Sequence, residues 1–168
     1  MISFESLGGL TNQNQTALWR KGWRFVKVSA KTEYACLAML ELAARFGTGE
    51  PVRIRTISGE HGIPSRFLVQ ILLQLKGAGL VASTRGASGG YQLIKPPEAI
   101  SLGEVMTIIE GPESDLSSAD ASRQSPTARV LIDAWQEVSQ VRRETLRSLT
   151  FGELVRRVKR QAENMYYI

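Results

Sequence analysis

After the amphipathic stretch SRFLVQILLQLK the chain passes Gly77 and Gly79. It then offers two β-prone runs, VAST at residues 81–84 and GYQLI at 90–94, on either side of RGASG. Runs of this kind around a glycine-rich turn pair as a β-hairpin. Pro96 and Pro97 stop the second strand, because proline has no N–H to give to a ladder.

Helical spacing fills most of the remaining chain. In SAKTEYACLAMLELAARF, Ala35, Met39, Leu42 and Phe46 fall on one face, with Ser29 or Ala30 at the entry, and Gly47 and Gly49 end the helix. VRI after Pro51 is short, alternating and β-prone, a candidate strand of about three residues. RTISGEHGIPSRFLVQILLQLKG then reads as two helices around a tight turn at Gly62. Ile57 faces inward on the first. Leu68, Ile71, Leu72 and Leu75 form a stripe on the second, which leaves Ser65, Arg66, Val69, Gln70, Gln74 and Lys76 outward. SLGEVMTIIEG is a short helix capped by Ser101. A last stretch from about Ala128 to Leu149 carries Leu131, Ala134, Trp135, Val138 and Val141 three or four apart, and Thr150 opens a further helix in a Thr-x-x-Glu capping pattern.

Helix, short strand, helix, turn, helix, hairpin is the order of a winged helix-turn-helix. The expected fold is therefore mainly α with a small β-hairpin: a winged helix-turn-helix domain plus a long C-terminal helix. Residues 1–25 form a flexible N-terminal extension, 26–110 the winged domain, 111–127 a loop, and 128–168 the long helix and a C-terminal helix. The helix from Ser65 is some 20 Å long at about 1.5 Å per residue and suits a major groove roughly 12 Å wide. Arg66 and Gln70 share its outward face and match guanine and adenine edges. Ser65 and the free N–H groups of the first turn suit a phosphate. A hairpin tip laid along a nucleic-acid backbone would explain Gly86, Gly89 and Gly90 by close approach, with Arg85 supplying charge. The competing explanation is that these glycines only satisfy turn geometry.

Charge favours a polyanionic partner. The net charge is +5, and residues 51–97 alone carry Arg53, Arg55, Arg66, Lys76, Arg85 and Lys95 against the one acid Glu60. Cys36 is the only cysteine, which excludes an internal disulfide and cannot by itself hold a metal or an iron–sulfur cluster, so no cofactor is expected. Its alanine and leucine neighbours suggest a buried, inert thiol. His61, the only histidine, is expected to be structural. No run approaches the roughly 18 apolar residues of a membrane span, so neither a membrane partner nor a location outside the cytoplasm is expected. GASGG lacks the Gly-Lys-Ser/Thr ending of a nucleotide cradle, and no nucleophile–base pair or carboxylate pair is evident, so the chain does not read as an enzyme.

KVSAKTEYA, the run from GIPSRFLVQILLQLKGAGLV through RGASGGYQLIKPPEAISLGEVMTIIEG, and TFGELV together resemble the Rrf family of bacterial winged-helix regulators over about residues 27–155. That resemblance implies a transcription regulator, with repression the expected mode. It would bind an inverted repeat in double-stranded DNA as a homodimer whose long helices cross, which makes Leu131, Trp135, Val138 and Val141 interface residues. It implies that Ser29, Lys31 and Tyr34 lie near phosphates, that Ser65, Arg66 and Gln70 enter the major groove, and that Arg85, Ser88 and Gly89 reach the backbone or minor groove. Phe67 stands where the family commonly has an aromatic. Cluster-binding members have three cysteines before the dimer helix, and residues 111–127 contain none. Val69 replaces a glutamate found in some members, so the operator should differ. A protein-interaction module is the alternative from another class. A small-molecule sensor, with its ligand between the long helix and the DNA-binding part, is a third reading for which the sequence names no ligand, and a small-molecule or protein co-regulator is left open.

Overall fold

In a computed structural model, the structure describes residues 28–86, 89–111 and 125–165. The expectations for residues 1–25, for Ser88 and for most of the 111–127 loop therefore lie outside the described residues. The elements in chain order are α1 (Ala30–Ala44), α2 (Ile54–His61), α3 (Ser65–Gly77), β1 (Val81–Thr84), β2 (Gly90–Leu93), a 3-10 turn (Pro97–Ala99), α4 (Leu102–Glu110), α5 (Pro126–Ser148) and α6 (Phe151–Met165).

One apolar core accounts for this order. Ala35, Ala38, Met39 and Leu42 of α1, Ile57 of α2, and Leu68, Ile71, Leu72 and Leu75 of α3 are buried together with Leu80, Val81, Ile100 and Val105. The 3.6-residue period of each amphipathic helix is what brings its apolar side chains to one face. Between α2 and α3 the chain turns at Gly62, whose φ of 64° is the left-handed conformation that a Cβ disfavours. The N–H of Ile63 then donates to Ser58 O at 3.2 Å, closing the end of α2.

Three local expectations are corrected. Phe46 lies beyond the end of α1 in the turn and is 43% exposed, because α1 stops at Ala44 before its period reaches that residue. VRI is not a strand: Val52 alone bridges to Tyr91, and Ile54 already opens α2. Gln74 is only half exposed, its amide donating to Ile108 O at 3.0 Å. Separately, α5 begins at Pro126, two residues before the stripe suggests. Ser125 Oγ accepts from the N–H of Ala128, and proline at the first helical position has a φ already set for the helix.

The hairpin pairs antiparallel with Val81 opposite Leu93 and Thr84 opposite Gly90. Val52 adds a third, one-residue edge: its N–H donates to Tyr91 O at 2.8 Å, and the N–H of Tyr91 returns to Val52 O at 2.9 Å. Tyr91 packs partly buried against the core. At the far end of the chain, Phe151 is completely buried in the same core, and its N–H donates to Ile100 O at 2.9 Å. Ser101 bridges to Thr150, so the start of α4 and the start of α6 are stitched together. Thr150 Oγ1 accepts from the N–H of Glu153, the capping contact its spacing implies.

Candidate nucleic-acid interface

The inner face of α3 is fully used by the core, and its outer face is free. Ser65, Arg66, Phe67, Val69, Gln70 and Leu73 are exposed. Arg66 and Gln70 are four residues apart and so lie one above the other on that face. The guanidinium of Arg66 sits 5.0 Å from the centroid of the Phe67 ring, within cation–π range, which gives this exposed side chain a preferred direction. Phe67, which stands where the family commonly has an aromatic, is 44% exposed. Ser65 Oγ is 3.1 Å from Ser58 Oγ. Because Ser58 Oγ donates to Ile63 O at 2.6 Å, the proton of the Ser65–Ser58 contact comes from Ser65. That pair joins the start of α3 to the turn before it.

Several bonds fix the hairpin relative to α3. Lys76 Nζ donates to Ser83 Oγ at 2.6 Å, and the N–H of Leu80 to Leu75 O at 3.1 Å. Lys76 therefore does local structural work as well as carrying charge. Arg85 follows β1 and is exposed, and Gly89 precedes β2 and is half-buried. The glycines have an internal cause that spacing alone did not reveal. A Cβ on Gly89 would lie 2.3 Å from Thr84 O, and one on Gly90 would lie 2.5 Å from Val52 O. Close approach of the chain to itself thus requires these two residues. At Gly86 no atom lies within 4 Å of an added Cβ, and the requirement there is its φ of +108°.

Of the remaining sequence candidates, Ser29 and Lys31 are exposed at the start of α1, and Tyr34 is half-buried against the core. On α5 no residue is buried along 23 positions. Leu131, Trp135, Val138 and Val141 are each more than half exposed, as is Val130 beside them. In the C-terminal half of this helix Leu146 meets Gly103 of α4.

His61 Nε2 lies 3.2 Å from Glu41 Oε1, joining the last turn of α2 to α1. Glu41, Glu60 and His61 converge closely enough to consider a metal, but a guanidinium already serves as their cation: Arg45 is 3.8 Å from Glu41 and 3.5 Å from Glu60. Burial, and then the neighbouring Glu60 carboxylate, raise the pKa of Glu41, while His61 opposes that shift. Cys36 is mostly buried and packs against the core. Burial first, then the Glu110 and Glu33 charges, push its thiol from 9.0 up to about 12. An iron–sulfur cluster does not fit this donor set, since one protonated cysteine in α1 cannot supply the several thiolates such a cluster takes.

A helix pair joined by a tight turn, followed by a short hairpin packed on the second helix, defines a winged helix-turn-helix protein, a class built around an exposed recognition helix. The Rrf2 family model, described as an iron-dependent transcriptional regulator, matches residues 28–157. The transcriptional regulator CymR of Bacillus subtilis is 33% identical over 144 residues, covering 85% of this chain and all of CymR. IscR of Klebsiella pneumoniae is 34% identical over 137 residues, covering 77% of this chain and 80% of IscR. The solved structure of T. potens IscR superposes with a TM-score of 0.64 at 32% identity over 79% of this chain and 88% of that one. Staphylococcus aureus CymR in its oxidized form superposes with a TM-score of 0.63 at 30% identity over 77% of this chain and 96% of that one. The chain belongs to the Rrf2 family of helix-turn-helix transcriptional regulators, whose work is DNA binding rather than catalysis. No helix among the described residues is long and apolar enough to cross a membrane.

Proposed function

We propose that this regulator is a cytoplasmic repressor that binds an inverted-repeat operator as a homodimer, with α3 in the major groove and the hairpin along the backbone. The observation that carries the reading is α3 itself, whose apolar stripe is spent on the core while Arg66 and Gln70 stand outward on its first two turns. In this reading Arg66 and Gln70 read base edges, Ser65 and the first-turn N–H groups hold a phosphate, and Arg85 neutralises the backbone beside Ser88 and Gly89. Ser29, Lys31 and Tyr34 meet phosphates from the start of α1.

The second half of the proposal rests on α5. A 23-residue helix with an apolar row and no buried residue has no stable place in water, and a second copy crossing it would cover Leu131, Trp135, Val138 and Val141. A two-fold dimer presents two recognition helices to two half-sites, which makes the operator an inverted repeat.

The test is fluorescence anisotropy on chromosomal fragments recovered by immunoprecipitation, against random duplex, for wild type, Arg66→Ala and Arg85→Ala. Arg66→Ala should cost about 1–3 kcal/mol on the recovered site and far less on random duplex. Arg85→Ala should weaken both about equally and flatten the salt dependence by up to roughly one phosphate contact. Equal losses for both variants on every sequence would refute the division of roles, and uniformly weak binding abolished by salt would favour a protein-interaction module. Sedimentation should give two copies per particle.

A further inference from the structure

Between α4 and the C-terminal half of α5 the molecule opens into a cleft of about 750 Å³. That volume falls within the roughly 300–1,000 Å³ typical of small-molecule sites. The two helices touch where Gly103 meets Leu146, both of which line the cleft: a Cβ at Gly103 would already lie 3.4 Å from Leu146 Cβ. Its two walls carry opposite charge. On the α4 side the lining groups that ionise are Glu104 and Glu110, and on the α5 side they are Arg143 and Arg147, one turn apart.

The acidic wall is anchored by the DNA-binding part, since Glu110 accepts from Thr32 Oγ1 of α1 at 2.7 Å and Glu104 lies 3.4 Å from Lys95. On the basic wall, Arg143 donates to Gln140 within its own helix. Arg147 has no ion-pair partner among the described residues. Two opposed charged walls over an apolar lining that includes Leu146 and Ile108 favour a ligand that carries both signs and lies across the gap.

We propose that this cleft is an effector site for a small dipolar metabolite, one with a carboxylate and an ammonium group, as in a free amino acid or a dipeptide. The carboxylate would take the Arg147 guanidinium, a fork that fits it two bonds at a time, and the ammonium would face Glu110. This inference rests on the dimeric-regulator reading for its consequence, because the two walls belong to different working parts. One wall is the helix that would join the two copies. The other is tied to the recognition helix through the Gln74 amide, which donates to Ile108 O at 3.0 Å, and Ile108 itself lines the cleft. A ligand that sets the spacing of α4 from α5 therefore sets the spacing of the two recognition helices. A ligand shifts such an equilibrium only by its differential affinity for the two spacings. The sequence named no cluster for this sensor, because the i, i+4 arginine pair on α5 looks like any solvated helix face until α4 is packed against it.

The test uses the full chain, wild type with Arg147→Glu and Thr107→Trp, the first reversing one wall and the second filling the mouth from an exposed position. Calorimetry on the protein alone, titrated with each of the twenty amino acids and with glycylglycine and other simple dipeptides, reads binding. Anisotropy on the recovered chromosomal fragment, with and without each compound, reads its effect. At least one compound should bind wild type and change its affinity for the fragment fivefold or more, and both variants should lose that response while binding the fragment as wild type does without ligand. No binding by any compound overturns the proposal, and so does an undiminished response in both variants. If wild type binds no fragment specifically, the regulator reading fails instead, and calorimetry still decides the cleft. Response to dipeptides but not to free amino acids would assign the ligand to the peptide arm.

Discussion

Replacing Gly90 by alanine tests the packing of the hairpin most directly. The added Cβ would stand 2.5 Å from Val52 O and 2.7 Å from Val52 C, backbone atoms that no rotamer change can move aside. Reaching ordinary contact requires the two segments to separate by about 0.9 Å, and the gain from dispersion does not compensate at such range. That separation would stretch both bonds of the Val52–Tyr91 bridge, now 2.8 and 2.9 Å, past useful hydrogen-bond length. Overpacking costs about 1–3 kcal/mol, and each lost hydrogen bond about 0.5–1.5 kcal/mol. The terms overlap, so the expected loss is about 2–4 kcal/mol, equivalent to a fall in Tm of roughly 5–15 °C for a domain of this size. Urea unfolding measures the total, and hydrogen exchange at the Val52 and Tyr91 amides locates it. Gly59→Ala is the control: it sits inside α2 with no atom within 4 Å of the new Cβ, and it should stabilise by about 0.5–1 kcal/mol. A Gly90→Ala protein with a wild-type midpoint and protected Val52 and Tyr91 amides would refute the reasoning. So would an equal loss in the control.

Two further outcomes follow from titrating groups. With its thiol pushed up to about 12, Cys36 should react with iodoacetamide at pH 8 about a thousandfold more slowly than an ordinary thiol, and at the ordinary rate once unfolded in urea. Mass spectrometry of timed samples checks this, and rapid native labelling would contradict a buried, inert thiol. Glu41 has a folded pKa above its usual 4.5, so the folded state holds more proton at this site than the unfolded chain does. The stability this group contributes is thus complete below pH 4.5 and declines as pH rises through the folded value. Relative to Glu41→Gln, the wild type should lose stability in urea as pH rises above 4.5, and a difference that stays level or grows would contradict the assignment.

Much of the fold was legible because local rules and the tertiary outcome agree. The stripe of Leu68, Ile71, Leu72 and Leu75 gave α3 both its extent and its buried face, and Gly62 placed the turn before it. The hairpin emerged from VAST and GYQLI with its ladder one residue shorter than read, since Ile94 leaves the strand and is exposed. Phe46 and the VRI segment failed for one reason: each sits within two residues of an element end, where periodicity no longer decides whether a residue continues an element or turns away. The Arg66–Phe67 stack and the Lys76–Ser83 bond were out of reach, because side-chain direction at the surface depends on neighbours that spacing does not specify.

The order of residues by itself determined the winged helix-turn-helix plan, the outward placement of Arg66 and Gln70, and the apolar row on α5, because periods of 3.6 and 2 and the conformational limits of glycine and proline act within a few bonds. Only the tertiary structure decided why Gly89 and Gly90 must lack side chains, how Phe151 anchors the last helix, and that an acidic wall faces a basic one across the α4–α5 cleft. The Gly89 constraint arises within the hairpin's own turn, five residues from Thr84, and the others depend on segments tens of residues apart coming within a few ångströms of each other. Excluded volume and charge act across that gap, and a linear pattern carries no record of them.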